Sequence, residues 1–489
     1  MRAARVVGGA LAGLGAVCAA LLVPEPAPRL DPTAVDRSFV WDRDAYWSRL
    51  EAAFRAVREV GCADEPSAGA AGFNRLRRAV GALQGPPLGP SDSAFQRLEQ
   101  ALFESAPIAA ACPDCAPGWI ELAHQARAAV KTQSLAWDLE APAARDLLYR
   151  LLYGGRLALE EVMLQQPDGA LPPLVTWQRP LPKTPSATVH GVRIASGDLL
   201  VSRGGAPTSA LIARGNDRPG NFSHVALAHV DPGTGQVSLV EAHIERGVAV
   251  STVDQYLHDT KLRVMILRLR EDHPALLGDP MLPHAAASLA LERARSEHVP
   301  YDFAMDFDDP AKLFCSEVAS WAYRQRGIGL WSNLSSISGR TVQPWLADFG
   351  VRQFATQAPS DLEYDPQIVV VAEWRDAASL FDDHVDNAVV DAMIETAEAG
   401  ERLAYNHARL PAARLLKAYS VVTEAFGRVG PVPEGMSASA ALRNQHFSLR
   451  HQQVRLATLE RAATFARQRG YRPPYWELVA MARETLASP

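Results

Sequence analysis

Apolar positions recur at steps of three and four through the first third of the chain. Between Asp44 and Val57, the residues Tyr46, Leu50, Phe54 and Val57 share one stripe, the spacing of an amphipathic helix. The stretch from Ala143 to Gln165 repeats the pattern with Leu148, Leu151, Leu152 and Leu159. Gly/Pro-rich breaks at 85–90 and 111–117 separate such helices. Residues 31–185 therefore read as a helical N-terminal domain that closes in a linker, where Pro172, Pro173, Pro180, Pro182 and Pro185 crowd together.

After that linker the apolar period drops from near four to two. Strands are predicted over 191–194, 197–202, 222–230, 237–243, 262–269 and 367–374, and helices over 283–298 and 309–327. Residues 186–375 are thus expected to form an α+β domain with an antiparallel sheet. Helical spacing returns at 385–399, 412–426 and 448–467, with a break at 431–435, which makes 376–489 a second all-α region. Its basic residues Arg443, Arg450, Arg455 and Arg461 are spread along the helices and read as solvated surface.

Composition narrows the classes. The 489 residues are 48% hydrophobic and 21% charged with a net charge of -6, so several globular domains are expected. The acidic balance argues against nucleic acid as a partner, because phosphate binding needs basic clusters. Arg2 and Arg5 precede an apolar run from Val6 to Val23 and then a Pro-rich stretch. That layout is a signal peptide or signal anchor over residues 1–30, and it predicts a periplasmic or cell-envelope location. If the segment is retained, residues 1–23 would attach the protein to a membrane. Cys18 raises lipidation, but Gly15-Ala16-Val17 before it matches a lipobox poorly. Cys62, Cys112 and Cys115 are expected to form one disulfide among themselves and leave one thiol over. No second ligand pair accompanies the Cys112–Cys115 spacing, and the acidic run Asp302, Asp306, Asp308, Asp309 lacks the steps of a calcium loop. Neither a metal nor a cofactor is expected.

Two stretches carry chemistry. Phe222 to His243 reads as a hairpin around Asp231-Pro-Gly-Thr-Gly-Gln236. With a two-residue tip His224 lies opposite Glu241; with a four-residue loop it faces His243. Glu241 and His243 share a face in either register, because side chains alternate along a strand. The second stretch is the helix that carries Cys315. Asp309-Pro310 is a start signal that would bury Cys315 in the second turn, whereas a start near Leu313 would bring it closer to the positive helix end. A thiol there, facing an imidazole, is the arrangement of thiol hydrolases.

Gly197-Asp-Leu-Leu-Val-Ser-Arg-Gly, Phe222-Ser-His-Val-Ala-Leu, Val240-Glu-Ala, Gly247-Val, Tyr301-Asp-Phe and Phe314-Cys-Ser-Glu-Val occur in that order. Together they resemble the YiiX/YaeF-like branch of the permuted NlpC/P60 (papain-like) cysteine hydrolases, over roughly residues 191–374. The resemblance implies a circularly permuted papain-like domain, with the histidine preceding the cysteine. It also implies Cys315 as nucleophile, His224 as base and Glu241 as the orienting residue, with His243 as the alternative third member. Tyr301 and Asp302 would shape the pocket, and Asp198 would be structural. The implied activity is a cysteine hydrolase cutting an amide bond, with a cell-wall peptide or peptidoglycan fragment as substrate. A lipid or thioester acyl group is the alternative, and a non-catalytic binding or scaffold module is the second alternative.

Overall fold

The computed structural model describes residues 21–23, 25, 37–62, 66–177, 181–331, 334–339 and 342–487. The expected signal segment, Cys18 included, lies outside the described residues apart from 21–23 and 25. Among the described residues no helix is long and apolar enough to cross a membrane.

Five helices come first: α1 (Asp44–Val60), α2 (Pro66–Ala82), α3 (Ser93–Ala111), α4 (Ala116–Ser134) and α5 (Pro142–Leu164). Asp92 caps α3 by accepting the N–H of Ala94 at 2.8 Å. The helices close over a core that includes Phe95, Trp119, Leu148 and Leu152. A disulfide joins Cys62, just past α1, to Cys112 at the end of α3, and Cys115 stays a free thiol.

The centre is a seven-stranded antiparallel sheet in the order β1-β11-β8-β4-β5-β6-β7. Its strands are β1 (Leu174–Thr176), β4 (Leu199–Gly204), β5 (His224–Val230), β6 (Val237–His243), β7 (Gly247–Thr252), β8 (Lys261–Leu269) and β11 (Ile368–Trp374). A hairpin of β2 (Ser186–Val189) and β3 (Val192–Ala195) and a two-residue ladder of β9 (Ser335–Ser336) with β10 (Ala355–Thr356) stand apart. The stretch read as a linker thus supplies an edge strand: Leu174 pairs with Trp374. Three residues flanked by prolines are too short for their alternation to register as a strand.

Alternation along the strands sorts the core into two layers. Leu199, Val201, Val225, Leu227 and Val240 face one side, under α8 (Leu282–Ser296) and α9 (Cys315–Arg324). Leu200, Ala226, Ala228 and Leu239 face the other, with Val192 and Ile194 of the hairpin and Tyr256 of α7 (Val253–His258). Helix α6 (Pro207–Arg214) follows β4, and α10 (Val342–Phe349) follows α9. The chain ends in α11 (Ala377–Glu398), α12 (Leu410–Glu424), α13 (Ala438–Arg469) and α14 (Tyr475–Ala487). Of these, α11, α13 and α14 share a core that takes in Leu211 of α6 and Trp345 of α10, while α12 packs on Ala438 through Leu410 and Ala413.

A buried ionic network joins α5 and α11 to the central sheet. Arg156 of α5 donates from Nε to both oxygens of Glu363, at 2.8 and 2.9 Å, and also reaches Glu373 of β11. Arg263 of β8 bridges Glu160 of α5 and Asp383 of α11, and Arg203 of β4 stands 3.1 Å from Asp383. His384 closes the loop at 2.9 Å from Glu160. Desolvating each such ion costs several kcal/mol, so they are tolerable only together. Arg455 also departs from the reading as solvated surface: it bonds Asp386 at 2.7 Å and Asp382 at 2.6 Å, tying α13 to α11. Arg450 and Arg461 pair with Glu401 and Glu484 at the surface.

Candidate active site

Cys315 is the first residue of α9. The chain before it does not extend the helix, because Asp306 and Asp309 accept the N–H groups of Asp308 and Ala311 within turns. Phe314 then takes extended dihedrals as N-cap, and Oε2 of Glu317 reaches back to its N–H at 2.8 Å. The start signal at Asp309-Pro310 therefore loses to a later one. The thiol stands among the first N–H groups of the helix, where the dipole favours negative charge. Burial pushes the Glu317 carboxyl up to about 8, so near neutrality it is mostly uncharged beside the sulfur.

The hairpin adopts the four-residue loop: Val230 pairs with Val237, and Asp231 N–H bonds Gln236 O at 3.0 Å. Glu241 lies opposite Ala226, and the same register continued puts His243 opposite His224. Even so, the closer contact of His224 is Glu241, with Nε2 and Oε2 2.6 Å apart. That leaves the other ring nitrogen for Cys315, whose thiol acts on the imidazole. Burial by itself would lower the imidazole, but Cys315 and Glu241 outweigh it and raise His224 to about 9. Burial would raise the Glu241 carboxyl, yet His224 and His243 hold it well below the usual range. Nε2 of His243 stands 3.2 Å from Oε1, so the carboxylate sits between two imidazoles. The Cys315 sulfur lies 3.8 Å from the Ser223 carbonyl, one residue before His224.

Tyr301 packs edge-on to Phe303, with ring centroids 5.0 Å apart. Asp302 accepts the N–H groups of Ala304 and Asp306, at 2.9 and 2.5 Å, and so shapes the loop. Asp198 ties the start of β4, taking Ala195 N–H and both arms of Arg268. Its neighbour Gly197 has φ +98, and a Cβ there would stand 2.3 Å from Pro283. Trp331 and Trp345 are buried and donate to the carbonyls of Ala358 and Glu401, which makes them core residues.

Cys315, His224, Glu241, His243, Tyr301 and Asp302 all line one cleft of about 1260 Å³. Small-molecule sites usually hold roughly 300–1000 Å³, so a longer ligand fits here. The C-terminal region also lines it, through Pro433 and Met436 before α13 and Asn444 and Ser448 on α13. Gly435 allows this approach, since a Cβ would come within 2.5 Å of the Phe303 ring.

Two residues at the site had no readable signal. Tyr256 stacks beside His224, with ring centroids 6.3 Å apart, from a short helix that only folding brings near. Glu317 sits at the right step for a capping box, but Phe314 offers no cap side chain to mark the motif.

Neither the curated proteins nor the solved structures include a match to this chain. Residues 193–372, which hold most of the central sheet and the thiol-bearing helix, match the model of a family of permuted papain-like amidase enzymes, YaeF/YiiX, C92 family.

Proposed function

We propose that the protein is a cysteine amidase in which Cys315 is the nucleophile, His224 its proton partner and Glu241 the residue that orients and charges the ring. The observation that carries this reading is His224 bonded to the Glu241 carboxylate at 2.6 Å in the same cleft as Cys315, whose sulfur lies 3.8 Å from the carbonyl of the residue before His224. His224 takes the thiol proton, and the sulfur attacks the amide carbonyl carbon. The resulting oxyanion lies by the Cys315 N–H at the helix start. Collapse breaks the C–N bond, and His224 protonates the departing amine. Water, deprotonated by His224, then splits the thioester into acid and free thiol.

The size of the cleft and the amidase family favour a peptide of cell-wall type as substrate. With the charged and apolar leader at residues 1–23, the reading places the work in the cell envelope. The apolar side chains along the cleft, among them Phe303, Leu346, Phe349 and Met436, favour an acyl ester or thioester as the second reading. The test is hydrolysis of muropeptides against acyl esters by wild type and Cys315→Ala. Peptide cleavage lost in the variant supports the first reading, ester cleavage alone the second. Equal inertness of both proteins on both substrates removes the hydrolase reading.

A further inference from the structure

Helix α12 packs through Leu410, Ala413 and Ser420 and leaves its opposite side bare. Leu415, Tyr419 and Val422 are 63%, 59% and 57% exposed, and Phe426, two residues past the helix end, is 80% exposed. Steps of four, three and four put all four on one stripe of the helix. Single exposed apolar side chains are ordinary, but a continuous stripe of large ones marks an interaction surface.

The surroundings point to one occupant. Arg409 and Arg428 stand exposed at the two ends of the helix, and Arg414 lies along its edge. Arg414 donates to the carbonyl of Val23. Val23 is where the apolar N-terminal run ends, and Leu22 and Val23 are themselves exposed. An apolar stripe edged by arginines, beside the end of a segment patterned for membrane entry, has the chemistry of a helix lying in a bilayer interface.

We infer that α12 with Phe426 is a membrane-surface docking element that seats this face of the protein on an anionic phospholipid bilayer. Beyond the helix the chain runs to Pro431 and Pro433 at the cleft, so docking would hold the site close to the lipid surface. The inference does not depend on the hydrolase reading.

The test uses the full chain with Cys18→Ser, Cys115→Ser and Cys315→Ser, labelled with an environment-sensitive dye at Phe426→Cys. A control carries the dye at Thr234→Cys, on the exposed β5–β6 loop. Each is mixed with phosphatidylethanolamine vesicles, with and without phosphatidylglycerol, that contain headgroup-proximal nitroxide lipid. Reading a dye position separates docking of this face from simple attachment through residues 1–23. The expected result is a blue shift and at least about twofold stronger quenching at 426 than at 234, larger with phosphatidylglycerol. Equal quenching at the two positions would overturn the proposal. So would a dye response at 426 that follows protein concentration without lipid and coincides with a doubled mass, since a second copy would then cover the face.

Discussion

Glu241 and His224 are bonded on the diagonal: Oε2 lies 2.6 Å from Nε2, although the residue opposite Glu241 in the ladder is Ala226. Diagonal neighbours on one face are within reach only of long side chains. Glu241→Gln keeps the reach and removes the charge that supports the imidazolium. The expected result is a kcat/KM lower by about 10²–10⁴-fold, with its alkaline limb displaced downward by roughly one to three pH units. A pH–rate profile of both proteins checks this.

The same bonds make His224 a pH-dependent source of stability. Its folded value of about 9 against an ordinary value near 6.5 corresponds to ~3 kcal/mol. Because the value is raised, the contribution is complete below about pH 6.5 and fades as pH climbs through about 9. Glu241 has the opposite sign, contributing above the ordinary carboxylate range and losing it only in strong acid. Urea denaturation of wild type and His224→Gln should show a stability gap that is widest near pH 6 and narrows towards pH 10.

Glu317 lies on the destabilising side of the same relation. Its carboxyl is raised to about 8, so stability falls between about pH 4.5 and 8, where the unfolded chain ionises and the folded one does not, and only above about 8 does a negative charge stand near Cys315. Glu317→Gln keeps an oxygen for the Phe314 N–H and abolishes the ionisation. Thermal melts should then fall less between about pH 5 and 8 than those of wild type, with activity at pH 7 retained. Glu317→Ala, which also loses the cap, should be less stable at every pH by about 1 kcal/mol.

Arg156 holds buried carboxylates of two other segments, Glu363 and Glu373, to the N-terminal helices. Arg156→Met removes the nearest cation and leaves Glu363 with Arg127 at 3.9 Å and Glu373 with Arg375 at 3.1 Å. A loss of about 3–5 kcal/mol in chemical denaturation is expected. Deleting the helices before residue 165 should expose the same charges and give insoluble protein.

Much of this was legible in the chain, and the parts that were not share a cause. Alternation from His224 to Val230 and from Val237 to His243 marked two strands, and parity alone put Glu241 and His243 on one face. The register waited on the loop, since Pro232-Gly233 is as good a tip as the longer turn that forms. Asp309-Pro310 is a sound helix start locally, but the turns built on Asp306 and Asp309 take its place. The ionic network was beyond sequence reasoning altogether. Arg156 and Glu373 are 217 positions apart, and charges in an amphipathic pattern read as solvated until a partner fold covers them.

The central claim is that Cys315 and His224 share a proton, and the rate of alkylation tests it most directly. Wild type and Glu241→Gln are treated with iodoacetamide at pH 6–7, and carbamidomethylation is followed by mass at Cys315 and at Cys115. Cys115 is the internal standard, since burial and Asp114 push its thiol up. The account predicts that Cys315 reacts at least about tenfold faster than Cys115 in wild type despite its burial, and that Glu241→Gln removes most of that advantage. A Cys315 that reacts no faster than Cys115, and is indifferent to residue 241, would contradict it.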